Sequence, residues 1–205
     1  MTENTDLSQR VIESIKESIS AKERLLGSAE TIAVIARVSE VLIESLRAGN
    51  KLLLFGNGGS AADSQHIAAE FVGRFALDRP ALPALALSVN TSAVTAIGND
   101  YGFDQVFSRQ VEALGAKGDV AIGISTSGNS PNVLQGLIAA RKKGLHTVAF
   151  TGGSGGKMMG AADHCICAPS KETPRIQECH ILIDHVISQL VEHAIFHEQS
   201  SVSRS

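Results

Sequence analysis

The chain has 205 residues, 43% of them hydrophobic and 19% charged, with a net charge of −3 and a pI near 6.2. That is enough for one large domain with a substantial core, and so low a share of charge favours helix faces that meet other subunits. It excludes the basic footprint of a nucleic-acid binder: the nearest run, Arg141-Lys142-Lys143, reads as cations at a helix C-terminus.

The polar, acidic start Met1-Thr2-Glu3-Asn4-Thr5-Asp6 is unlike a secretory signal. No apolar stretch approaches the ~20 residues needed to span a bilayer. Next, Leu7, Val11, Ile15, Ile19 and Leu25 or Leu26 repeat with helical period, as do Ile32, Ile35, Val38, Leu42 and Leu46 after Gly27-Ser28. Two amphipathic helices forming a hairpin are expected before any strand, the second ended by Gly49-Asn50. Five short apolar runs follow, at 51–55, 84–88, 119–124, 146–150 and 164–168, continuous rather than alternating, as strands buried on both faces would be.

Helical stretches lie between the runs at 61–74, 92–97, 103–114 and 131–143, with a short one at 157–161. A long last helix over 174–197 would bury Ile176, Ile183, Val186, Leu190 and Val191. Alternation of this kind indicates an α/β fold, a parallel sheet with helices on both faces. Cys165 and Cys167 fall on one face of the fifth strand as buried thiols. With Cys179 they are odd in number and lack Cys-x-x-Cys spacing, which fits a cytoplasmic setting.

The richest segment is Ser125-Thr126-Ser127-Gly128-Asn129-Ser130, between the third strand and a helix opened by Pro131. Capping that helix needs one hydroxyl, and four in six residues exceed the need. Hydroxyls and free N–H groups at a helix N-terminus can hold a phosphate without lysine. Gly56-Asn57-Gly58-Gly59-Ser60-Ala61 formally fits G-x-G-x-x-A, but the next strand ends Leu85-Ala86-Leu87-Ser88 without the carboxylate a dinucleotide ribose requires. Its glycines still admit a ligand close to the backbone, and Ser60 adds a donor. Gly152-Gly153-Ser154-Gly155-Gly156-Lys157-Met158 is one residue short of a P-loop and lacks the hydroxyl after lysine, so a flexible turn is the better reading. Both loops after strands one and three fall at the switch point of an open sheet, where ligands bind, and Asn99-Asp100 could reach the same crevice.

His66 and Glu70 are four apart and share a helix face just beyond the glycine loop. Gln177 and His185 lie eight apart on the last helix, roughly 12 Å along its axis, near the limit for reaching one ion. Together the four offer two imidazoles, a carboxylate and an amide oxygen, a donor set suited to zinc or another divalent metal.

These segments, with Gly98-Asn99-Asp100-x-Gly102-Phe103, the 123–130 stretch and Arg175-Ile176-Gln177-Glu178, resemble the phosphoheptose isomerases of the sugar isomerase (SIS) domain superfamily. The resemblance runs to about Glu192. It implies a five-stranded parallel flavodoxin-like sheet, and the residue patterns already described give a single domain over 1–198, with the helical hairpin at 1–48, the α/β core and C-terminal helix at 49–198, and a flexible Ser-rich tail at 199–205. It implies a homotetramer whose active sites combine adjacent subunits, which would ease the reach if the two helices came from different chains.

By the same resemblance, Ser125, Thr126, Ser127 and Ser130 hold a sugar phosphate, and Asn57, Gly58, Gly59, Ser60, Asn99, Asp100, Glu70 and Gln177 line the substrate site. His66, Glu70, Gln177 and His185 hold one divalent ion per subunit, taken as zinc, and no nucleotide cofactor is needed. Glu70 and His185 are the implied acid/base pair for converting D-sedoheptulose 7-phosphate to D-glycero-D-manno-heptose 7-phosphate. That is the first step toward nucleotide-activated heptose for lipopolysaccharide or another heptose-containing glycan. Two rivals are a non-catalytic SIS regulator of the type that binds the replication initiator DnaA, and an isomerase of another sugar phosphate. The first lacks the catalytic Glu and His; many of the second carry extra domains for which 205 residues leave no room.

Overall fold

The computed structural model describes residues 2–197. Helices α1 (Thr2–Leu26) and α2 (Ala29–Arg47) precede strand β1 (Leu52–Gly56), and the Ser28 hydroxyl caps α2 by accepting from the Thr31 N–H. Then come α3 (Gly59–Val72), β2 (Ala84–Ala86), α4 (Thr91–Tyr101), a 3₁₀ turn (Phe103–Gln105), α5 (Ser108–Leu114), β3 (Val120–Ile124) and α6 (Pro131–Lys142). After β4 (His146–Gly152), a 3₁₀ segment (Gly156–Gly160) leads to β5 (His164–Ala168), α7 (Thr173–Glu192) and a π-helical turn (His193–His197). All five strands are parallel, in the order β2-β1-β3-β4-β5.

Successive strand residues face opposite sides, so the buried side chains sort into two cores. Leu52, Leu54, Ile122, Ile124, Val148 and Phe150 pack with residues of α1, α2, α3 and α7. Leu53, Phe55, Ala121 and Ala149 pack with Val106, Phe107, Val111, Val133 and Leu137 on the other face. β1 and β3 are buried throughout, while β2 and β5 are edges. Neutral His180 on α7 ties that helix to β4: its Nε2–H donates to Thr151 O at 2.8 Å, and burial pushes its pKa down to about 4.

Several sequence expectations shift. The second strand is three residues long, not five, and Leu85 on it is exposed because β2 has one neighbour only. The helix expected over 103–114 divides into the 3₁₀ turn and α5, while α4 runs past 97 and takes Asn99 and Asp100 into its last turn. The closing helix becomes π-helical after Glu192, and the expected boundary at 198 and tail at 199–205 lie outside the described residues.

Val186 and Leu190 are exposed, against expectation. The buried face of α7 instead carries Ile176, Cys179, His180, Ile183, Asp184, Ile187, Ser188, Val191 and Glu192, four of them polar, which a hydrophobic count misphases. On α1, Leu7, Val11, Ile15 and Ile19 are exposed too; only Leu25 of the expected stripe is in the core. α1 meets α7 through polar contacts, among them Ser18 Oγ to Glu178 and the Arg175 guanidinium to Ser14 O. Cys165 and Cys167 share a face of β5 as expected but are half-buried, not buried. The Cys165 thiol donates toward Cys167 and holds its pKa at about 6, while the same contact pushes Cys165 up.

Candidate active site

In strand order β2-β1-β3 the chain reverses direction between β1 and β3, so the loops leaving their carboxyl ends border one crevice. After β1, Gly58 turns the chain with φ +55°, and α3 starts at once. Gly56 leaves no space for a side chain: a Cβ would lie 2.8 Å from Ser60 and 2.9 Å from Ile124 O. Ser60 itself is buried, whereas Gly58 and Gly59 are exposed. Across the crevice, Asn57 and Asn132 exchange a reciprocal pair of amide hydrogen bonds, both 2.9 Å. The pair clamps the β1 loop to the first turn of α6. Nothing in the sequence marks Asn132, since an Asn inside a helix start carries no signal of a partner 75 residues away.

The serine loop is folded on itself. Ser125 Oγ lies 2.8 Å from Ser130 Oγ and 3.4 Å from Ser127 Oγ, and the Gly128 N–H donates to Ser125 O. Ser130 occupies the N-cap of α6, yet its side chain makes no capping bond. The simple capping explanation for this loop therefore fails, and its hydroxyls cluster at a helix N-terminus that carries partial positive charge. The glycine turn after β4 backs the loop: Gly152 N–H donates to Thr126 O, Met158 N–H to Gly128 O, and Lys157 N–H to Asn129 Oδ1. Gly128 has φ +65°, and a Cβ there would sit 2.1 Å from Gly155 O. Gly128→Ala should therefore cost about 1–3 kcal/mol, read by thermal denaturation. A stability matching the wild type would show that the two loops can part without cost.

Helices α3 and α7 pack side by side and bring the acid/base candidates together within one chain, without a second subunit. His66 Nε2 lies 2.9 Å from His185 Nε2 and 3.3 Å from Glu70 Oε1, and the three donor atoms all fall within 4.8 Å of one another. Nitrogen lone pairs and a carboxylate converging on one point suit a borderline divalent metal better than calcium or magnesium. Gln177, the fourth donor expected from sequence, covers Gly59: a Cβ on that glycine would meet its Nε2 at 2.4 Å. Gly59 is seven residues before His66, about 10 Å along α3. Three of the four expected metal donors are thus brought together, and the fourth stands at the head of the helix.

Two carboxyls lie behind the imidazoles. Complete burial and the nearby Asp63 raise the pKa of Asp184 well above the usual range; burial also raises that of Asp63, against the pull of His66. Both have a buried Oδ2 without a hydrogen-bond partner among the described residues. Beside them the Phe75 ring packs on His185 at 5.9 Å between centroids. Phe75 is held there by Glu192, whose carboxylate accepts from the N–H groups of Phe75, Ala76 and Leu77 and from Arg79 Nε. Arg79 in turn donates to the carbonyls of Glu70 and Phe71, closing the end of α3. Asn99 and Asp100 are exposed on α4 and hydrogen-bond each other, with no contact to the serine loop or the trio among the described hydrogen bonds.

The SIS domain family matches residues 10–152. Phosphoheptose isomerase of Aneurinibacillus thermoaerophilus is 57% identical over 182 residues, covering 89% of this chain and 92% of that protein. The chain belongs to the phosphoheptose isomerase family. The relative from Burkholderia pseudomallei (strain 1710b) is 51% identical over 197 residues, 96% of this chain and all of that protein. The solved structure of the phosphoheptose isomerase from Neisseria gonorrhoeae superposes with a TM-score of 0.85 at 44% identity, covering 91% of this chain and 98% of that one. The α/β architecture and strand order described above are therefore those of a phosphoheptose isomerase family member along nearly its full length.

Proposed function

We propose that the chain is an aldose–ketose isomerase that interconverts D-sedoheptulose 7-phosphate and D-glycero-D-manno-heptose 7-phosphate. The observation that carries the reading is the meeting of Glu70 and His185 beside His66, within a chain whose relatives at 51–57% identity are named phosphoheptose isomerases. The exchange moves a proton between C1 and C2 through an enediol, so it needs a base and an acid near one sugar. Glu70 takes the carbon-bound proton and returns it at the neighbouring carbon, and His185 serves the oxygens. Ser125, Thr126, Ser127 and Ser130 receive the phosphate, fixing the far end of the sugar so that the reacting carbons stay in place. Asn57, Gly58, Gly59, Asn99 and Asp100 complete the substrate site in this reading. Ser60, buried at the start of α3, is the further donor of this reading.

His66, Glu70 and His185 fit a zinc ion by donor chemistry and convergence, and the reading takes Gln177, which stands over Gly59, as the fourth donor. When bound, the ion supplies charge stabilisation for an oxyanion at the substrate carbonyl. The reading includes a homotetramer with sites completed by neighbouring subunits; exposed apolar rows on α1 (Leu7, Val11, Ile15, Ile19) and α7 (Leu182, Val186, Leu190) support it. It also includes a cytoplasmic setting, in keeping with three free cysteines.

The test is a panel of ketose phosphates incubated with the purified protein and followed for aldose by NMR. Aldoheptose from the seven-carbon ketose is expected, with five- and six-carbon ketose phosphates turned over far more slowly. Binding without turnover of any member would make the chain a sugar-phosphate sensor instead. A narrower expectation concerns Gly59→Ala. Its φ permits alanine, so stability should change by less than about 1 kcal/mol, but the new methyl displaces the Gln177 amide. Metal retention, measured by competition with a chelator, should weaken roughly tenfold; unchanged retention would remove Gln177 from the donor set.

A further inference from the structure

Edge strand β5 reads His164-Cys165-Ile166-Cys167-Ala168, which sends Ile166 into the core and turns both cysteines to the other face. Their Sγ atoms lie 3.8 Å apart, and Thr151 Oγ1 on neighbouring β4 is 3.5 Å from one and 3.3 Å from the other. Both thiols line a pocket of about 380 Å³ whose walls also carry Glu30, Asp163 and His164 and, among the described residues, no lysine or arginine. Arg141 approaches Asp163 at 3.9 Å but does not line the pocket. The surroundings therefore favour a cation over an anion.

A direct sulfur–sulfur bond suits this pair poorly. Residues two apart on a strand have Cα atoms about 6.6 Å apart, at the upper end of the disulfide range, and their Cβ atoms would have to close to about 3.8 Å. The register of β5 against β4, Ala149 opposite Cys165 and Thr151 opposite Cys167, resists that closure. One atom placed between the sulfurs needs no such movement. At a metal–thiolate distance of about 2.3 Å, sulfurs 3.8 Å apart subtend about 110°, close to the tetrahedral angle.

We propose that Cys165 and Cys167 form a chelating dithiolate site for a thiophilic divalent d¹⁰ cation, separate from the His66–Glu70–His185 trio. The Thr151 hydroxyl, which also lies 3.3 Å from Ile166 O, turns its one proton to one of the two thiolates as an outer partner, and the pocket leaves the remaining coordination positions open to water. The site adjoins the phosphate loop. A Cβ on Gly155 would lie 3.2 Å from Cys167 Sγ, and the carbonyl of Gly155 is the atom that abuts Gly128. An ion held by Cys167 thus sits directly beneath the turn that backs the serine loop.

Cadmium is the probe, because cadmium bound to thiolate gives an ultraviolet charge-transfer band that cadmium bound to nitrogen and oxygen lacks. The trio contains no sulfur, and Cys179 is fully buried on α7, so the band reports the β5 pair. Titrating Cd²⁺ into the full-length protein should raise a band that saturates, that zinc competes away, and that each of Cys165→Ser and Cys167→Ser shifts to at least tenfold higher cadmium. The double variant should show none while keeping the wild-type Tm. Should that variant fail to fold, wild-type protein alkylated at its accessible thiols takes its place and should likewise give no band. Absence of the band in the wild type, or an equal band after both thiols are removed or blocked, overturns the proposal.

Discussion

Glu70→Gln should lower kcat by roughly 10²–10⁴-fold, the usual worth of a positioned general base, while the affinity for the ketose phosphate stays within a few-fold of the wild type. The amide preserves size and hydrogen-bonding reach but cannot accept the carbon-bound proton. In the proposed reading the phosphate is held elsewhere, by the hydroxyls and helix N-terminus on the β3 side of the crevice, so ground-state binding would not depend on the carboxylate. Binding is measured by calorimetry and turnover by NMR. His185→Gln should lose turnover comparably, and if the two groups act on one proton-transfer sequence, as proposed, the double variant should lose little more than either alone. Metal content must be measured alongside, since Glu70 and His185 also belong to the donor trio. Near-wild-type kcat in Glu70→Gln with the metal retained would remove Glu70 as the base.

Glu192→Ala should cost about 3–5 kcal/mol of stability, the penalty for stranding one member of a buried ion pair, or on the order of 10 °C in Tm for a domain of this size. Glu192 and Arg79 are almost completely buried, with side-chain exposures of 4% and 3%, and their nitrogen and oxygen atoms lie 3.0 Å apart. Removing the carboxylate also leaves the N–H groups of Phe75, Ala76 and Leu77 without their acceptor. Burial alone would raise the Glu192 pKa, but the three backbone donors and Arg79 together outweigh it and lower the value. A carboxylate depressed in the folded state contributes its full stabilisation above its unfolded pKa, about 4.5. It loses that stabilisation as the pH falls through the folded value. The gap between wild type and variant should therefore be widest near neutrality and narrow in acid, as read by denaturation across pH. A pH-independent gap, or a loss under 1 kcal/mol, would mean that the 75–79 turn is held by packing instead. Because this turn carries Phe75 against His185, the variant is also expected to lose activity at temperatures where it remains folded.

Much of this protein was legible from the chain itself. The alternation of apolar runs with helical periods specified a parallel α/β sheet because strands covered on both faces must be apolar throughout, and β1 and β3 are. The hydroxyl cluster at 125–130 stood out because helix capping needs one such group. His66 and Glu70 could be paired from their four-residue spacing, since helix geometry alone puts them on one face.

What crosses between elements was settled only by packing. Local periodicity carries no information about which helix a face will meet, so it could not bring His185 to 2.9 Å from His66, nor show that one chain suffices for the trio. It misjudged α7 for the same reason. Four of that helix's buried positions are polar: the 75–79 turn satisfies Glu192 and Thr151 O accepts from His180 Nε2, whereas Asp184 Oδ2 and Ser188 Oγ are buried without a partner among the described residues. The apolar side chains that α1 and α7 leave exposed show the converse: a hydrophobic pattern states that a face is to be covered, and only the assembled structure states by what.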